Sequence, residues 1–240
     1  MRWPSILPTL SFFLLSLALE AQDRSLIGWL PGVQFSGKLT ERLEYFAQLG
    51  SETIVFEQLA GTSRRAPEML TLDLTGGLHA ELGPNWDLAA SLLVRSRKPF
   101  SGEAGSEIRP WQQLTYIVRF GKYRLRNRLR AEQRFIQAEK GEEFGFDLRL
   151  RYRLSLDFPL EGERLDQREC YLNTSAEWLL TPTRERAVFY SNPRAYLGLG
   201  YRFSERTRLE TGPEFRTRNV DEAGNDQHIW YWRTTWIMSW

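Results

Sequence analysis

Charged side chains, most of them arginine, occupy every second position in two neighbouring stretches between residues 123 and 158. The charged residues that these stretches bring onto one face are Arg126, Arg128, Arg130, Glu132, Arg149, Arg151 and Arg153. An arginine guanidinium is a planar fork of donors that matches the oxygens of a carboxylate or a phosphate. The residues therefore predict a cluster that binds anionic groups, either carboxylates of the protein or an anionic solute.

The residues between the charged ones are mostly apolar, and they indicate which elements hold the cluster. Every even-numbered position from Phe144 to Phe158 is a leucine, a phenylalanine or a tyrosine. A period of two is typical of a β-strand, whose side chains alternate between two faces. Long strands with one apolar face and one arginine-rich face favour a membrane-spanning β-barrel with the charges in its lumen.

The same alternation recurs along the chain and predicts an all-β fold, a single antiparallel transmembrane β-barrel. We count about ten strands, the first at Leu39–Leu49 and the last at Trp230–Trp240. Leu26–Phe35 and Thr53–Leu59 are two further candidates, so about twelve strands is the alternative. Ten and twelve are both even, as expected of single-chain bacterial outer-membrane barrels.

Short connections at Gly83, Gly121 and Ser204 alternate with longer segments. The longer segments are expected at Gly61–Pro67, Lys98–Pro110 (around Gly102), Gly141, Pro182 and Gly224. Tight turns of this kind join antiparallel strands in hairpins. If both chain termini are periplasmic, the short connections are periplasmic turns and the longer loops face outward.

The amino terminus is typical of a secretory signal. Arg2 precedes the apolar stretch Ile6–Leu19, and a small-residue cleavage site follows Ala18 or Ala21. We expect residues 1–21 to be a cleaved signal peptide and residues 22–240 to form the barrel domain. No other segment approaches the roughly 20 apolar residues that a spanning helix needs. Cys170 is the only cysteine, so no intrachain disulfide is expected.

Composition agrees with a membrane barrel. A mean hydropathy of −0.45 suits strands of which half of the residues face a polar lumen. The net charge of +2 gives no general attraction to nucleic acid. Nine tryptophans, nine tyrosines and fourteen phenylalanines would supply aromatic girdles at two lipid interfaces. We therefore predict localisation in the bacterial cell outer membrane, with lipid as a partner and the strand ending at Trp240 as the element that the assembly machinery reads.

Several segments also resemble a known family. They are Arg126–Phe135, Leu148–Leu154, Tyr171–Asn173 with Glu177, and Ser191–Arg194 leading into Gly198–Phe203. In these segments the chain resembles the small outer-membrane β-barrel family called domain of unknown function 2490. The resemblance covers nearly all of the mature chain and implies a barrel in a Gram-negative outer membrane. It implies no activity, because the family has none assigned.

The two arginine strands raise an electrostatic problem. If their hairpin closes near residues 140–141, the opposed pairs are Arg130 with Arg149, Arg128 with Arg151 and Arg126 with Arg153. Like charges directly opposed destabilise a sheet, so anionic groups must lie among them.

Two interpretations follow. One is an internal network that fills the lumen of a small barrel with the carboxylates of Glu132, Asp147, Asp157, Glu177, Glu210, Glu214 and Glu44. The other is a narrow anion-selective pore or small-solute channel lined by the arginines.

Other classes of function have weaker support. The only histidines, His79 and His228, lie in no recognisable catalytic motif, so we expect no enzyme; an outer-membrane hydrolase is the enzymatic alternative. No metal site and no cofactor are expected, because zinc-ligand spacing and a glycine-rich phosphate loop are both missing. A soluble, lipocalin-like periplasmic barrel with its arginines outside would show the same period of two.

Overall fold

The described part of the chain folds into β-strands. The computed structural model describes residues 24–59, 67–101, 104–162, 165–182, 193–219 and 226–240. Within these ranges the strands are β1 (Arg24–Lys38), β2 (Leu43–Leu59), β3 (Glu68–Glu81), β4 (Trp86–Arg97), β5 (Gly105–Phe120), β6 (Tyr123–Gln137), β7 (Gly145–Pro159), β8 (Cys170–Leu180), β9 (Arg194–Arg202), β10 (Thr207–Asn219) and β11 (Asp226–Ser239). No helix in these ranges is long and apolar enough to cross a membrane.

The strands close into a barrel. Each strand pairs antiparallel with the next along the chain, and β11 pairs with β1. Because eleven is odd, this last pairing is parallel; it places Ser36 opposite Ser239. The backbone N–H of Trp240 extends the pairing by donating to the Ser36 carbonyl oxygen at 3.0 Å. We call the β1–β11 pairing the seam; it leaves the sheet without a free edge.

The all-β barrel is confirmed, with eleven described strands where about ten or twelve were expected. Leu26–Phe35 is indeed a strand and lies within β1. In contrast, Thr53–Leu59 is the second half of β2, and a bulge between Glu52 and Thr53 shifts the register there. A second shift, in the pairing with β1, leaves Val55 as an extra residue in β2, so Ile54 and Glu57 are both buried and the alternation breaks there. One long strand therefore resembled two. Leu39, expected in the first strand, lies in the β1–β2 turn.

The odd strand number also decides where the ends of the described chain lie. The connections after β1, β3, β5, β7 and β9 lie at one end of the barrel, which we call the short-turn end; the others lie at the long-loop end. Arg24 begins at the long-loop end and Trp240 lies at the short-turn end. The described chain therefore does not start and finish on one side. The expected signal peptide, residues 1–21, and the expected loop positions Gly61, Gly102 and Gly224 lie outside the described residues.

Three strands accommodate an internal proline, which has no N–H for the hydrogen-bond ladder. Each of Pro31, Pro110 and Pro213 keeps its register with one neighbouring strand, while pairing with the other neighbour skips it. The expected loop Lys98–Pro110 is consequently too long. β5 already begins at Gly105, and Pro110 lies inside it.

Most charged residues face the lumen and most large apolar residues face outward, while Leu26, Leu30, Ile54, Ile229 and Tyr231 form a buried apolar cluster. Leu150 is 41% exposed, whereas its neighbour Arg151 is 8% exposed. Large apolar side chains are exposed on strand after strand, including Trp29, Leu49, Leu74, Leu92, Leu114, Leu129, Trp178, Leu197 and Trp232. This arrangement excludes the inverted barrel with an apolar interior and arginines outside.

Aromatic rings gather on the outer face near both ends of the barrel. At the short-turn end five pairs of rings are in contact, with these distances between ring centroids: Trp86–Tyr116 4.6 Å, Phe120–Tyr123 5.2 Å, Tyr123–Phe158 5.2 Å, Phe203–Trp236 5.4 Å and Phe35–Trp240 5.7 Å. At the long-loop end the closest pairs are Phe135 with Phe146 and Phe215 with Trp230, at 5.4 and 5.0 Å. Contacts at such distances add to the stabilisation that ring burial provides.

Polar residues on the outer face of β6 are paired with neighbours. Asn127 Oδ1 accepts a hydrogen bond from the Tyr152 hydroxyl at 2.9 Å. The amides of Gln112 and Gln133 exchange two hydrogen bonds, of 3.0 and 3.4 Å. A polar group that is already hydrogen-bonded costs much less in an apolar environment. These residues are therefore compatible with the apolar outer face that surrounds them.

The parallel seam can be tested with a disulfide. Ser36 and Ser239 are directly opposite in the register, and both line the lumen. Neighbouring strands lie about 4.8 Å apart, which disulfide geometry allows. In a Cys170→Ser background, we expect Ser36→Cys with Ser239→Cys to form an intrachain cross-link on oxidation, measured as a reduction-sensitive gel shift.

The control combines Ser36→Cys with Met238→Cys, whose side chain points to the opposite face. We expect no cross-link there. Failure of the first pair to cross-link in folded protein would contradict the eleven-strand closure.

Candidate functional site

The lumen contains a cavity of about 1410 Å³. Its lining includes Lys38 and Trp240 at the short-turn end and Lys98 and Glu139 at the long-loop end, so the cavity follows the length of the barrel. More of its lining side chains are cationic than anionic. The chemistry of the lumen is therefore set by an excess of positive charge.

The opposed arginines on β6 and β7 are present, in a register that differs from the expected one. Arg130 pairs with Arg151, and Arg128 pairs with Arg153. Each expected pair was wrong by two residues. Ile136 pairs with Gly145, so the connection is centred between residues 140 and 141, and this centre places Arg130 opposite Arg151 and not opposite Arg149. The repulsion that calls for anionic groups is unchanged by this shift.

Glu177 on β8 offsets this repulsion. Its carboxylate accepts hydrogen bonds from Arg128 Nη2 at 2.6 Å, Arg151 Nη2 at 2.5 Å and Arg153 Nε at 3.2 Å. The side chain is only 1% exposed. Charge-assisted hydrogen bonds to a desolvated carboxylate are among the stronger polar contacts in proteins. Glu177 thus holds together three guanidinium groups that would otherwise repel one another.

Glu132 is a second shared carboxylate. Its Oε1 lies 2.7 Å from Arg151 Nη1 and 3.6 Å from Arg130 Nη1, and its Oε2 lies 3.4 Å from Arg109 Nη1. The side chain is fully buried. Arg151 donates one nitrogen to Glu132 and another to Glu177, so it links the two carboxylates into one network.

Glu107 on β5 extends this network toward β3 and β4. It accepts from Arg134 Nε at 2.6 Å and from Arg109 Nη2 at 2.7 Å. Arg95 lies 4.0 Å from Glu107 and makes a two-pronged contact with Asp73, with distances of 2.5 and 2.7 Å. The same wall of the lumen is therefore braced across five strands, from β3 to β7.

A further network joins β10, β11 and β2. Glu214 accepts from Arg216 Nε at 2.7 Å and from Arg233 Nη1 at 3.0 Å. Arg216 also reaches Glu52 Oε2 at 3.2 Å. The Arg233 guanidinium lies over the Tyr196 ring, 3.3 Å from its centroid, which is a cation–π contact. Ion pairs thus brace the wall that contains β11, one of the two seam strands.

The carboxylates expected to neutralise the arginines contribute unequally. Asp147 binds Arg134 at 2.9 Å, and Asp157 binds Arg126 at 2.7 Å. Glu210 is more distant from its arginines, at 3.7 Å from Arg208 and 3.9 Å from Arg233. Glu44 lies 3.9 Å from His79 and has no arginine within 4 Å among the described residues.

All seven residues singled out from the sequence lie on the inner face of the barrel. Five of the arginines contact a carboxylate, as described above: Arg126, Arg128, Arg130, Arg151 and Arg153. Glu132 in turn contacts Arg109, Arg130 and Arg151. Arg149 lines the cavity, but no carboxylate of the described residues lies within 4 Å of it. The structure therefore brings together all members of the cluster except Arg149.

Sequence reasoning missed Glu107 and Arg109, which were assigned to a loop. The alternation of Glu107, Arg109 and Trp111 with apolar or small residues is the signal that identifies them as part of β5. It also missed inward-facing tyrosines: the Tyr231 hydroxyl donates to Glu52 at 2.5 Å, and the Tyr171 hydroxyl donates to Glu210 at 2.7 Å. The period of two alone does not show that a tyrosine faces the lumen.

The two histidines lie far apart. His79 is near the short-turn end, with Nε2 3.4 Å from Asp87 Oδ2. His228 is at the long-loop end, where its ring stacks on Phe215 with 5.5 Å between centroids. They cannot act on one substrate together. In the part of the chain that the structure describes, no group of three or more histidine, cysteine, aspartate or glutamate side chains is arranged to hold a metal ion.

The fold and the lumen define a closed β-barrel with an apolar exterior and an ion-paired, net-cationic interior. The chain belongs to the family described as "Protein of unknown function (DUF2490)", whose model matches residues 29–228. This confirms the family resemblance. Among solved structures, the chain is similar to the translocator domain of the autotransporter NalP from Neisseria meningitidis: identity is 15%, 80% of this chain and 73% of that chain are covered, and the TM-score is 0.47. Curated proteins give no match.

Glu132→Gln tests the contribution of the network to stability. Removing the negative charge leaves Arg109, Arg130 and Arg151 without part of their compensation. We expect the free energy of unfolding to fall by about 3–5 kcal/mol, the usual cost of breaking a buried ion pair. The measurement is denaturant unfolding of the purified barrel, followed by tryptophan fluorescence.

The matched control is Glu81→Gln, at an exposed strand end outside the network. Its effect should stay within about 0.5 kcal/mol. If both variants are as stable as the wild type, the lumenal ion pairs do not stabilise the barrel.

Proposed function

We propose that this protein is a transmembrane β-barrel of the bacterial outer membrane with a structural or binding role, whose lumen is braced by arginine and carboxylate side chains. The observation that carries the proposal is the inversion of polarity, with apolar side chains outside and charges inside on strand after strand. We assign no reaction to it.

The outer face supports a lipid environment. Contiguous apolar patches of more than a few hundred Å² are rare on soluble monomers, and this barrel is apolar around its circumference. The hydrogen-bonded pairs Gln112–Gln133 and Asn127–Tyr152 remove the main polar cost of placing such a surface in hydrocarbon. The aromatic rings near both ends occupy the positions where interfacial girdles lie in membrane barrels.

The strand lengths agree with the same environment. The described strands contain 9 to 17 residues, and about 9–11 tilted residues span the hydrocarbon core of a bilayer. The expected signal peptide, residues 1–21, would direct the chain out of the cytoplasm. Lipid is then the principal partner, and the strand ending at Trp240 is the proposed contact for the assembly machinery.

The proposed role of the lumen follows from its packing. Shared carboxylates tie together neighbouring strands of the same wall, so they act as internal braces. Chemical catalysis requires a base positioned beside a reacting group, and the two histidines lie at opposite ends of the barrel. We therefore propose a scaffolding or binding protein and no enzyme.

Leu150→Arg tests the membrane environment. Leu150 faces outward on β7, and an arginine near the bilayer midplane costs about 2–4 kcal/mol on such a face. After expression with its native amino terminus, we expect the wild type to fractionate with outer membranes and to show heat-modifiable gel mobility. Leu150→Arg should yield much less folded protein.

Leu150→Ala is the matched control and should assemble normally. Recovery of the wild type in the soluble periplasmic fraction would contradict the proposal. So would equal assembly of Leu150→Arg and Leu150→Ala.

A second candidate function is a narrow anion-selective conduit. It is favoured by the cavity, whose lining reaches from Lys38 and Trp240 at one end to Lys98 and Glu139 at the other, with cationic groups in excess. Rings of arginine or lysine select for anions in pores. The networks around Glu132, Glu177 and Glu214 occupy part of the same space and favour the braced lumen.

Planar-bilayer recordings separate the two candidates. For a braced lumen, we expect no large, steady conductance from the purified barrel. A large anion-selective conductance would instead identify a pore, provided that Arg128→Ala and Arg151→Ala reverse its selectivity without changing thermal stability. Arg124→Ala, at the exposed rim of the lumen, is the control for a general loss of charge.

A further inference from the structure

Two half-buried arginines of the lumen contact no carboxylate in the described part of the chain. Arg149 on β7 and Arg194 on β9 both line the cavity, and neither has a hydrogen bond or a carboxylate within 4 Å among the described residues. Other arginines deep in the same wall, such as Arg128, Arg151 and Arg153, contact a buried glutamate. The two side chains are therefore exceptions that need an explanation.

Their isolation has the same cause in both cases. Arg149 is directly opposite Glu132 in the β6–β7 register, and Arg194 is directly opposite Glu177 in the β8–β9 register. Each of these carboxylates is already occupied by three other arginines. Arg151 contacts both glutamates, and its own buried Nε has no hydrogen-bond partner. Glu132 and Glu177 therefore attract Arg149 and Arg194 from a distance but make no ion pair with them within 4 Å.

An uncompensated guanidinium in a narrow lumen is costly, because the surroundings solvate charge less well than bulk water. An anion from solution would relieve this cost for both residues. We propose that Arg149 and Arg194 form a binding site for a diphosphate-type oxyanion in the lumen. The proposal rests on the lumen of the proposed barrel and adds a ligand class to it.

The spacing of the strands favours an elongated dianion. Two strand spacings separate Arg149 from Arg194, about 10 Å across the sheet, and their registers offset them by four residues, about 13 Å along it. A guanidinium fork matches the oxygens of a phosphate group, and two forks at this separation match charge at both ends of a ligand. A monatomic anion such as chloride can occupy only one end.

The shared chemistry is a pair of phosphate groups, which either a free diphosphate or a diphosphorylated lipid headgroup supplies. Both can approach from the long-loop end, toward which Arg149 lies. The experiment therefore uses two probes: inorganic pyrophosphate, and a diphosphorylated lipid in mixed micelles. Inorganic monophosphate and chloride, at equal ionic strength, are the comparison anions.

The variants are Arg149→Gln and Arg194→Gln, with Arg124→Gln as the matched control. Arg124 also lines the cavity and also lacks a carboxylate within 4 Å in the described residues, because Asp157 opposite it is taken by Arg126. It lies at the exposed short-turn rim, where water screens its charge. The control therefore removes the same charge from the lumen without touching the proposed site.

Binding is measured by calorimetry on the purified barrel, together with thermal stability in phosphate-free buffer. We expect pyrophosphate to bind the wild type and Arg124→Gln, and its affinity to fall at least about tenfold in Arg149→Gln and Arg194→Gln. We also expect both site variants to be at least as stable as the wild type without ligand, because each loses an uncompensated charge.

If the lipid probe binds and pyrophosphate does not, the phosphate groups that the site recognises come from a lipid headgroup, and the proposed site is supported. The proposal is overturned if neither probe binds, if monophosphate or chloride binds as tightly as pyrophosphate, or if Arg124→Gln loses affinity as much as the site variants do. Heat-modifiable mobility of the same samples reports whether the barrel is folded. A folded barrel that binds nothing refutes this site and leaves the proposed membrane barrel intact.

Discussion

The structure depends on a small number of buried carboxylates, which compensate the positive charge of many arginines. Glu107, Glu132 and Glu177 are each at most 1% exposed, and each is approached by three guanidinium groups within 4 Å. A buried charge is tolerated only when its neighbours replace the water that it has lost. Because the arginines come from adjacent strands, this compensation works only in one register. The network therefore stabilises the pairing of β5, β6, β7 and β8 as well as the charges themselves.

The period of two couples this interior to the exterior. Shifting one strand by a single residue would put its arginines on the outer face and its leucines in the lumen. Both faces would then be wrong at once, and the cost would add over the length of the strand. The inward ion pairs and the outward apolar side chains thus select the same register for two independent reasons. This explains why the strands keep a single register even though arginines are directly opposed in it, Arg130 with Arg151 and Arg128 with Arg153.

Much of the architecture could be predicted from the sequence, because alternation survives in single strands. Parity placed the arginines of β6 and β7 on one face, and the strand length and aromatic content indicated that the charged face, with Glu177, is the lumenal one. Three features were not predicted correctly. The extra residue Val55 broke the alternation of β2 and made it look like two strands, and Pro110 made the start of β5 look like a loop. The expected pairs of β6 with β7 were displaced by two residues, although the turn between them is centred at residues 140–141 as expected. Inward tyrosines such as Tyr231 were missed because a ring with one hydroxyl suits either face.

The seam occupies the second edge of β11, whose first edge is paired with β10. In the finished barrel the edge of β11 is bonded to β1, the Trp240 amide donates to Ser36, and the Trp240 ring stacks on Phe35. Before closure that edge is a free template for any other strand, in the manner of β-augmentation. A foreign strand that captures β11 uses the same donors and acceptors that β1 later needs. The edges of β1 and β11 thus keep their donors and acceptors exposed until the seam forms, and any strand bound to one of these edges excludes closure.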